Sequence, residues 1–107
     1  DNVLTASRAI RELKVWLNSK YSRYKWAPDS QTIPAGQKIL TPKKATAELI
    51  VIYKDLEEEG LVTNFEEFKK NVYTSIDKNN GDQLNMIIPI WVMNQLFSAN
   101  ATIQFME

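Results

Sequence analysis

The 107-residue chain contains no cysteine and no histidine. The first absence excludes disulfide staples, thiolate nucleophiles and cysteine-based zinc clusters, and it fits a reducing compartment. The second removes the imidazole base on which triads and much acid–base catalysis depend. Lysine plus arginine balance aspartate plus glutamate at 13 each, so the chain has no net electrostatic pull toward nucleic acid or an anionic membrane. No apolar run approaches the roughly 18 residues of a membrane span, and nothing at the start reads as a secretory signal. Neither a Walker loop nor a GxGxxG occurs, and there is no internal repeat or low-complexity tract. The chain opens on Asp1 rather than Met, and we read it as a piece of a longer polypeptide.

What is present points to a folded domain. Hydrophobic residues make up 44% of the chain, enough for a modest core over residues 1–107 as a single domain. The organising stretch is Thr41 to Leu61. Thr41 suits an N-cap and Pro42 the first helical position, where no donor is needed. Ala45, Leu49, Ile52 and Leu56 share one face of the helix this predicts over 42–59. Gly60 and Leu61 then supply a Schellman stop. The charges on this helix run against its dipole: Lys43 and Lys44 sit at the positive end, and Glu57, Glu58 and Glu59 at the negative end. Each misplaced charge costs about 0.3–1 kcal/mol, which a Lys54–Glu58 pair offsets in part. Two exaggerated ends of opposite sign suit contacts with opposite charge elsewhere.

Before this stretch, Ala6, Ile10, Leu13, Leu17 and Tyr21, widened by Ala9 and Trp16, predict a helix over 5–24 capped by Thr5. Pro28, Pro34 and Gly36 punctuate a long loop over 25–40, anchored by Trp26 and Ile33. After it, Asn64 and Glu67 read as a capping box opening a short helix over 65–70, with Phe65 and Phe68 turned inward. Val72, Thr74 and Ile76 alternate with polar neighbours and begin a hairpin over 71–88. A three-residue turn, Asn79-Asn80-Gly81, pairs Ile76 with Leu84 and Thr74 with Met86, keeping both apolar sets on one face; a two-residue turn does not. Pro89 to Leu96 reads as a turn or helical connector anchored by Trp91. Ala99, Ala101, Ile103 and Phe105 alternate with polar residues as a terminal strand over 99–106. The expected fold is α+β: two long helices and a short one packed on a small antiparallel sheet with open edges, available for strand exchange.

Sites for chemistry are scarce. The run Glu57-Glu58-Glu59 resembles a carboxylate pair or metal site only on paper, because consecutive helical residues point about 100° apart. The segment from Asp77 to Asp82 fails as a calcium loop: its glycine falls one place early, and the twelfth position is Ile88. Lys20-Tyr21-Ser22-Arg23-Tyr24-Lys25-Trp26 interleaves cations and aromatics as a single-strand nucleic-acid platform would, and it supports the alternative of a small nucleic-acid-binding module. The same pattern describes a helix end with half-buried aromatics.

The stretch from Tyr21 to Ile50, continued by DLEEEGLVTNFEEFKKNVYTSIDKNNGDQLNMIIP and MNQLFSANATIQF, resembles the C-terminal part of the tail sheath subunit of Mu-like contractile phage tails. The specific pieces are Gly36-Gln37 leading to Thr41-Pro42, Ala47-Glu48-Leu49, Leu56-Glu57 with Gly60-Leu61-Val62, and Asn94-Gln95-Leu96 before Ile103-Gln104-Phe105. Arg23, Lys25, Ala27 and Asp29 fit the loop pattern. Trp26, Ser30-Gln31 and Pro89-Ile90-Trp91 depart from it. The resemblance implies a virion protein made in the host cytoplasm, with no catalysis, no cofactor, no metal, no nucleic-acid partner and no membrane insertion. Its partners would be identical sheath subunits and the tail tube protein. Copies would form a helical polymer by strand exchange and contract to drive the tube through the host envelope. With the residue pattern, it directs attention to Lys20, Arg23, Lys25, Lys43, Lys44, Glu57, Glu58, Glu59, Ile103 and Phe105 as contacts between copies or with the tube.

Overall fold

A computed structural model describes residues 2–21, 23–77 and 83–104. The first helix, α1 (Asn2–Tyr21), begins before Thr5, which lies inside it rather than at its cap. No glycine or proline interrupts this opening, so each added residue gains a hydrogen bond at little cost. The helix stops at Tyr21, short of the expected Tyr24, because the chain then turns into a strand. Ala6, Ala9, Leu13, Leu17 and Tyr21 are buried; Ile10 is half-buried.

The segment expected to be all loop contains a parallel pair, β1 (Lys25–Trp26) and β2 (Ile39–Leu40). Lys25 N–H donates to Lys38 C=O at 3.0 Å and Ala27 N–H to Leu40 C=O at 3.1 Å. Residues 27–38 supply the crossover of about a dozen residues that parallel pairing needs. Ala27 and Leu40 are the buried anchors, and Trp26 packs half-buried against the core.

Helix α2 (Pro42–Glu58) follows with the expected start and stop. Thr41 Oγ1 accepts the Lys44 N–H at 3.2 Å, and Pro42 occupies the first turn. Gly60 adopts φ +81°; its N–H reaches Glu57 C=O and the Leu61 N–H reaches Leu56 C=O, both at 3.0 Å, which completes a Schellman motif. The buried stripe differs by one residue. Tyr53 takes the central place, with none of its surface exposed, and Ile52 is only half-buried.

Helix α3 (Phe65–Asn71) does not open with a capping box. Asn64 sits in the left-handed region at φ 59°, and its side chain caps nothing. The Phe65 N–H donates instead to the Glu57 carboxylate at 3.3 Å, so the end of α2 caps α3. Phe68 stacks flat on Tyr53, ring centroids 3.8 Å apart. Three antiparallel strands complete the fold: β3 (Tyr73–Ile76), β4 (Gln83–Val92) and β5 (Gln95–Gln104), in that order across the sheet. Ile76 pairs with Leu84 and Thr74 with Met86, the register set by the apolar faces. The turn residues 79–81 lie outside the described residues.

The expected connector over residues 89–96 is a second hairpin. β4 runs on through Pro89 and Trp91, turns at Met93 and Asn94 with φ 51° and 66°, and returns as β5 from Gln95, earlier than the expected start at Ala99. Proline is tolerated in this central strand because of where its missing donor points. Trp91 directs its N–H to the Tyr53 hydroxyl and its C=O to the Thr63 N–H, away from β5. Backbone direction repeats every second residue, so Pro89 faces the same edge, beyond the end of β3. The mixed α+β core thus lies between the sheet and the helices, with Leu84, Met86, Ile88, Ile90, Ala101 and Ile103 facing α1 and α2.

Candidate functional site

The sheet has two outer edges, and they differ. On β3, Thr74 Oγ1 donates to Pro42 C=O at 2.8 Å and meets Thr46 Oγ1 at 2.8 Å. The first turn of α2 therefore lies along that edge. On β5 no strand pairs with the far side among the described residues. Because Trp91 turns its polar groups away from β5, its partner Leu96 does the same on the other side. Ser98, Asn100 and Thr102 repeat that orientation, which makes a row of outward N–H and C=O groups. The side chains of Asn100 and Thr102 are exposed, while Ile103 is fully buried in the domain's own core. Phe105 lies outside the described residues.

The reversed charges of α2 are partly answered inside the domain. At its start, the Asp29 carboxylate, carried in by the 27–38 crossover, accepts the Lys43 N–H at 2.8 Å and supplies the negative charge that the first turn lacks. At its end, Glu57 accepts from Phe65 and pairs with Lys54 at 3.3 Å, so Lys54 pairs with Glu57 rather than Glu58. Asp55, Glu58 and Glu59 make no ion pair among the described residues, and neither do Arg23, Lys25, Lys38, Lys43 and Lys44. Lys38 was not apparent from the sequence as a member of this set; parallel pairing of β1 with β2 brings it beside Lys25.

The cation–aromatic stretch 20–26 does not form a stacking platform. Tyr21 is buried, Tyr24 packs edge-on against it at 4.8 Å, and Trp26 is half-buried against the core. Lys20 Nζ is held 3.3 Å from the Glu48 carboxylate and 4.7 Å from the centre of the Trp16 ring. With Tyr21 buried and Tyr24 and Trp26 both half-buried, the stretch offers no run of exposed rings for bases to stack on in series. Among the described residues the buried Tyr21 hydroxyl meets no partner at hydrogen-bonding distance, although the Glu48 carboxylate lies close enough to act on it. Burial raises its pKa well above that of a free tyrosine, and the nearby negative charge of Glu48 adds to the shift.

Antiparallel packing of α1 against α2 leaves a cleft of about 230 Å³ between them. Its apolar part includes Trp16, 36% exposed, and Val51, 59% exposed. Four carboxylates also line it: Glu12 of α1, which pairs with Arg8 at 3.2 Å, Glu48 of α2, which pairs with Lys20, and Asp55 and Glu59 at the end of α2. None of these arrangements combines a nucleophile with a base, and no described helix is long and apolar enough to cross a membrane.

No family model matches the chain, and no solved structure matches it. Over 105 residues, 98% of its length, the chain is 31% identical to the Mu-like prophage FluMu tail sheath protein of Haemophilus influenzae. It spans 22% of that relative's length.

Proposed function

We propose, from the premise that this chain is a homologue of part of a Mu-like phage tail sheath protein, that it is the C-terminal assembly domain of a sheath subunit. Its work is structural and involves no bond chemistry. Copies polymerise around a tail tube in the virion, and the lattice shortens to drive the tube through the host envelope. The observation that carries this reading is the alignment of 98% of the chain with a part of a sheath protein, supported by a β5 edge left unpaired among the described residues.

Two kinds of contact hold the lattice. The first is strand addition: an extended segment of a neighbour pairs with the outward groups of Leu96, Ser98, Asn100 and Thr102. The second is ionic, between the acidic end of α2 (Glu58, Glu59) and cations of a neighbour or of the tube among Arg23, Lys25, Lys43 and Lys44. Surface pairs of this kind are individually weak and salt-sensitive, which suits contacts broken and remade between two lattice states. Lys20, Glu57 and Ile103 serve their own domain, through Glu48, Phe65 and the core respectively.

Electron microscopy of the full-length subunit tests the reading: it forms hollow cylinders, alone or on tail tubes. The strand contact is tested by Asn100→Pro. That proline removes an outward donor and leaves the β4 ladder intact, a position strands tolerate. The variant keeps its helical circular dichroism and loses polymerisation; normal cylinders from it would refute strand addition at this edge.

A further inference from the structure

We propose that the cleft between α1 and α2 seats the basic corner of a second copy of this chain, the corner built from Arg23, Lys25 and Lys38. The inference rests on the sheath reading and assigns it a specific contact.

The cleft already contains half of such a site. At one end Lys20 lies over the Trp16 ring with its ammonium 3.3 Å from Glu48, a cation held between an aromatic face and a carboxylate. Toward the other end the same groove offers Asp55 and Glu59, which make no ion pair among the described residues, with Glu12 taken up by Arg8 at 3.2 Å. Asp55 in the last turn of α2 and Glu59 at its C-cap are four residues apart, so they repel each other, and both oppose the helix dipole. Exposed Val51 lies in the same cleft. Of the four carboxylates that rim this partly apolar cleft, Glu12 and Glu48 are paired and Asp55 and Glu59 are not, which leaves negative charge for a partner's cations to match.

The complementary surface is on the same molecule. Because α1 and α2 run antiparallel, the turn after α1 lies at the opposite end of the helical layer from Asp55 and Glu59. There Lys25 and Lys38 are joined through the hydrogen bond between their backbones, and Arg23 precedes them by two residues. All three side chains are exposed and make no ion pair among the described residues. An acidic seat at one end and a basic corner at the other cannot meet within one copy. They meet head to tail between copies, and a heterologous contact of that kind propagates as a helical filament when the rotation does not close.

Charge exchange tests this in the full-length subunit. The acidic set is Asp55→Lys with Glu59→Lys; the basic set is Arg23→Glu, Lys25→Glu and Lys38→Glu. Either set alone raises the concentration needed for polymerisation about tenfold or more, since like charges then face each other. Combining the two restores assembly to within about threefold of wild type. The acidic set places lysines where the helix dipole favours them, so its melting temperature holds or rises while assembly falls. A wild type that polymerises alongside an unaffected acidic set would overturn this contact alone, and so would a combined variant that recovers nothing. A wild type that forms no cylinders with or without tail tubes would overturn the sheath reading and this contact with it.

Discussion

The two sides of this domain are finished to different degrees. On the side of β3 and the second hairpin, polar groups are closed by internal partners. The Tyr53 hydroxyl donates to Thr63 C=O at 2.6 Å and accepts the Trp91 N–H at 3.1 Å, while its ring stacks on Phe68. Thr63 adds a backbone bond to Trp91 and accepts the Asn94 N–H on its hydroxyl. One tyrosine and one threonine thus tie α2, the turn before α3, and the β4–β5 hairpin together. On the side of β5 and the α1–α2 cleft, a strand edge, an apolar cleft and several charges have no partner among the described residues. The sealed side holds the fold, and the proposed strand and cleft contacts lie on the open side.

Substitutions that split hydroxyl from ring sharpen the contrast. Tyr53→Phe leaves Thr63 C=O and Trp91 N–H without their partner in a half-buried setting, at a cost of about 1–3 kcal/mol in urea unfolding. Tyr21→Phe removes a buried hydroxyl that has no partner at hydrogen-bonding distance among the described residues, and its stability stays within about 0.5 kcal/mol of wild type or improves. Equal losses at the two positions would erase the distinction.

Alkaline titration separates the same pair from another direction. Both tyrosines have pKa values raised first by burial; the Trp91 N–H opposes the shift at Tyr53, and Glu48 reinforces it at Tyr21. Below about pH 10 both are protonated folded and unfolded, so they add nothing to the pH dependence. As pH rises past that value the unfolded tyrosines ionise first, the native state holds more protons, and stability falls. In Tyr21→Phe one of these titrations is gone, so the loss in urea midpoint between about pH 8 and about pH 11 is smaller than in wild type. An identical loss would mean that Tyr21 ionises as readily folded as unfolded.

Much of the fold was legible where local chemistry and the apolar pattern agree. Thr41-Pro42 and Gly60-Leu61 bound α2 because capping and left-handed geometry are local, and Ile76↔Leu84 follows from keeping apolar residues on one face. Other features depended on distant residues. Ile52 and Tyr53 are neighbours with similar claims to the core, and Tyr53 takes it because Phe68, Thr63 and Trp91 offer it a stack and two hydrogen bonds. The Met93-Asn94 turn lacks the Asn-Gly signature, and a proline fits a central strand only where its missing donor points past a neighbour's end, as at Pro89 beyond β3. Asn64 looked like a cap, but Glu57 arrives from the previous helix to do that work. In the candidate site, the sequence exposed the reversed charges of α2. It did not show that Asp29 and Glu57 are taken up internally, or that Lys38 joins Lys25.

The contrast between sealed and open sides is tested most directly by amide hydrogen exchange on the full-length subunit, before and after assembly. In the monomer, the amides of Leu96, Ser98, Asn100 and Thr102 exchange quickly, and those of Phe97, Ala99, Ala101 and Ile103, bonded to β4, exchange slowly. On polymerisation the fast set becomes protected and the slow set changes little. If the four outward amides exchange as fast in assembled cylinders as in the monomer, this edge receives no strand and the account of the domain is wrong.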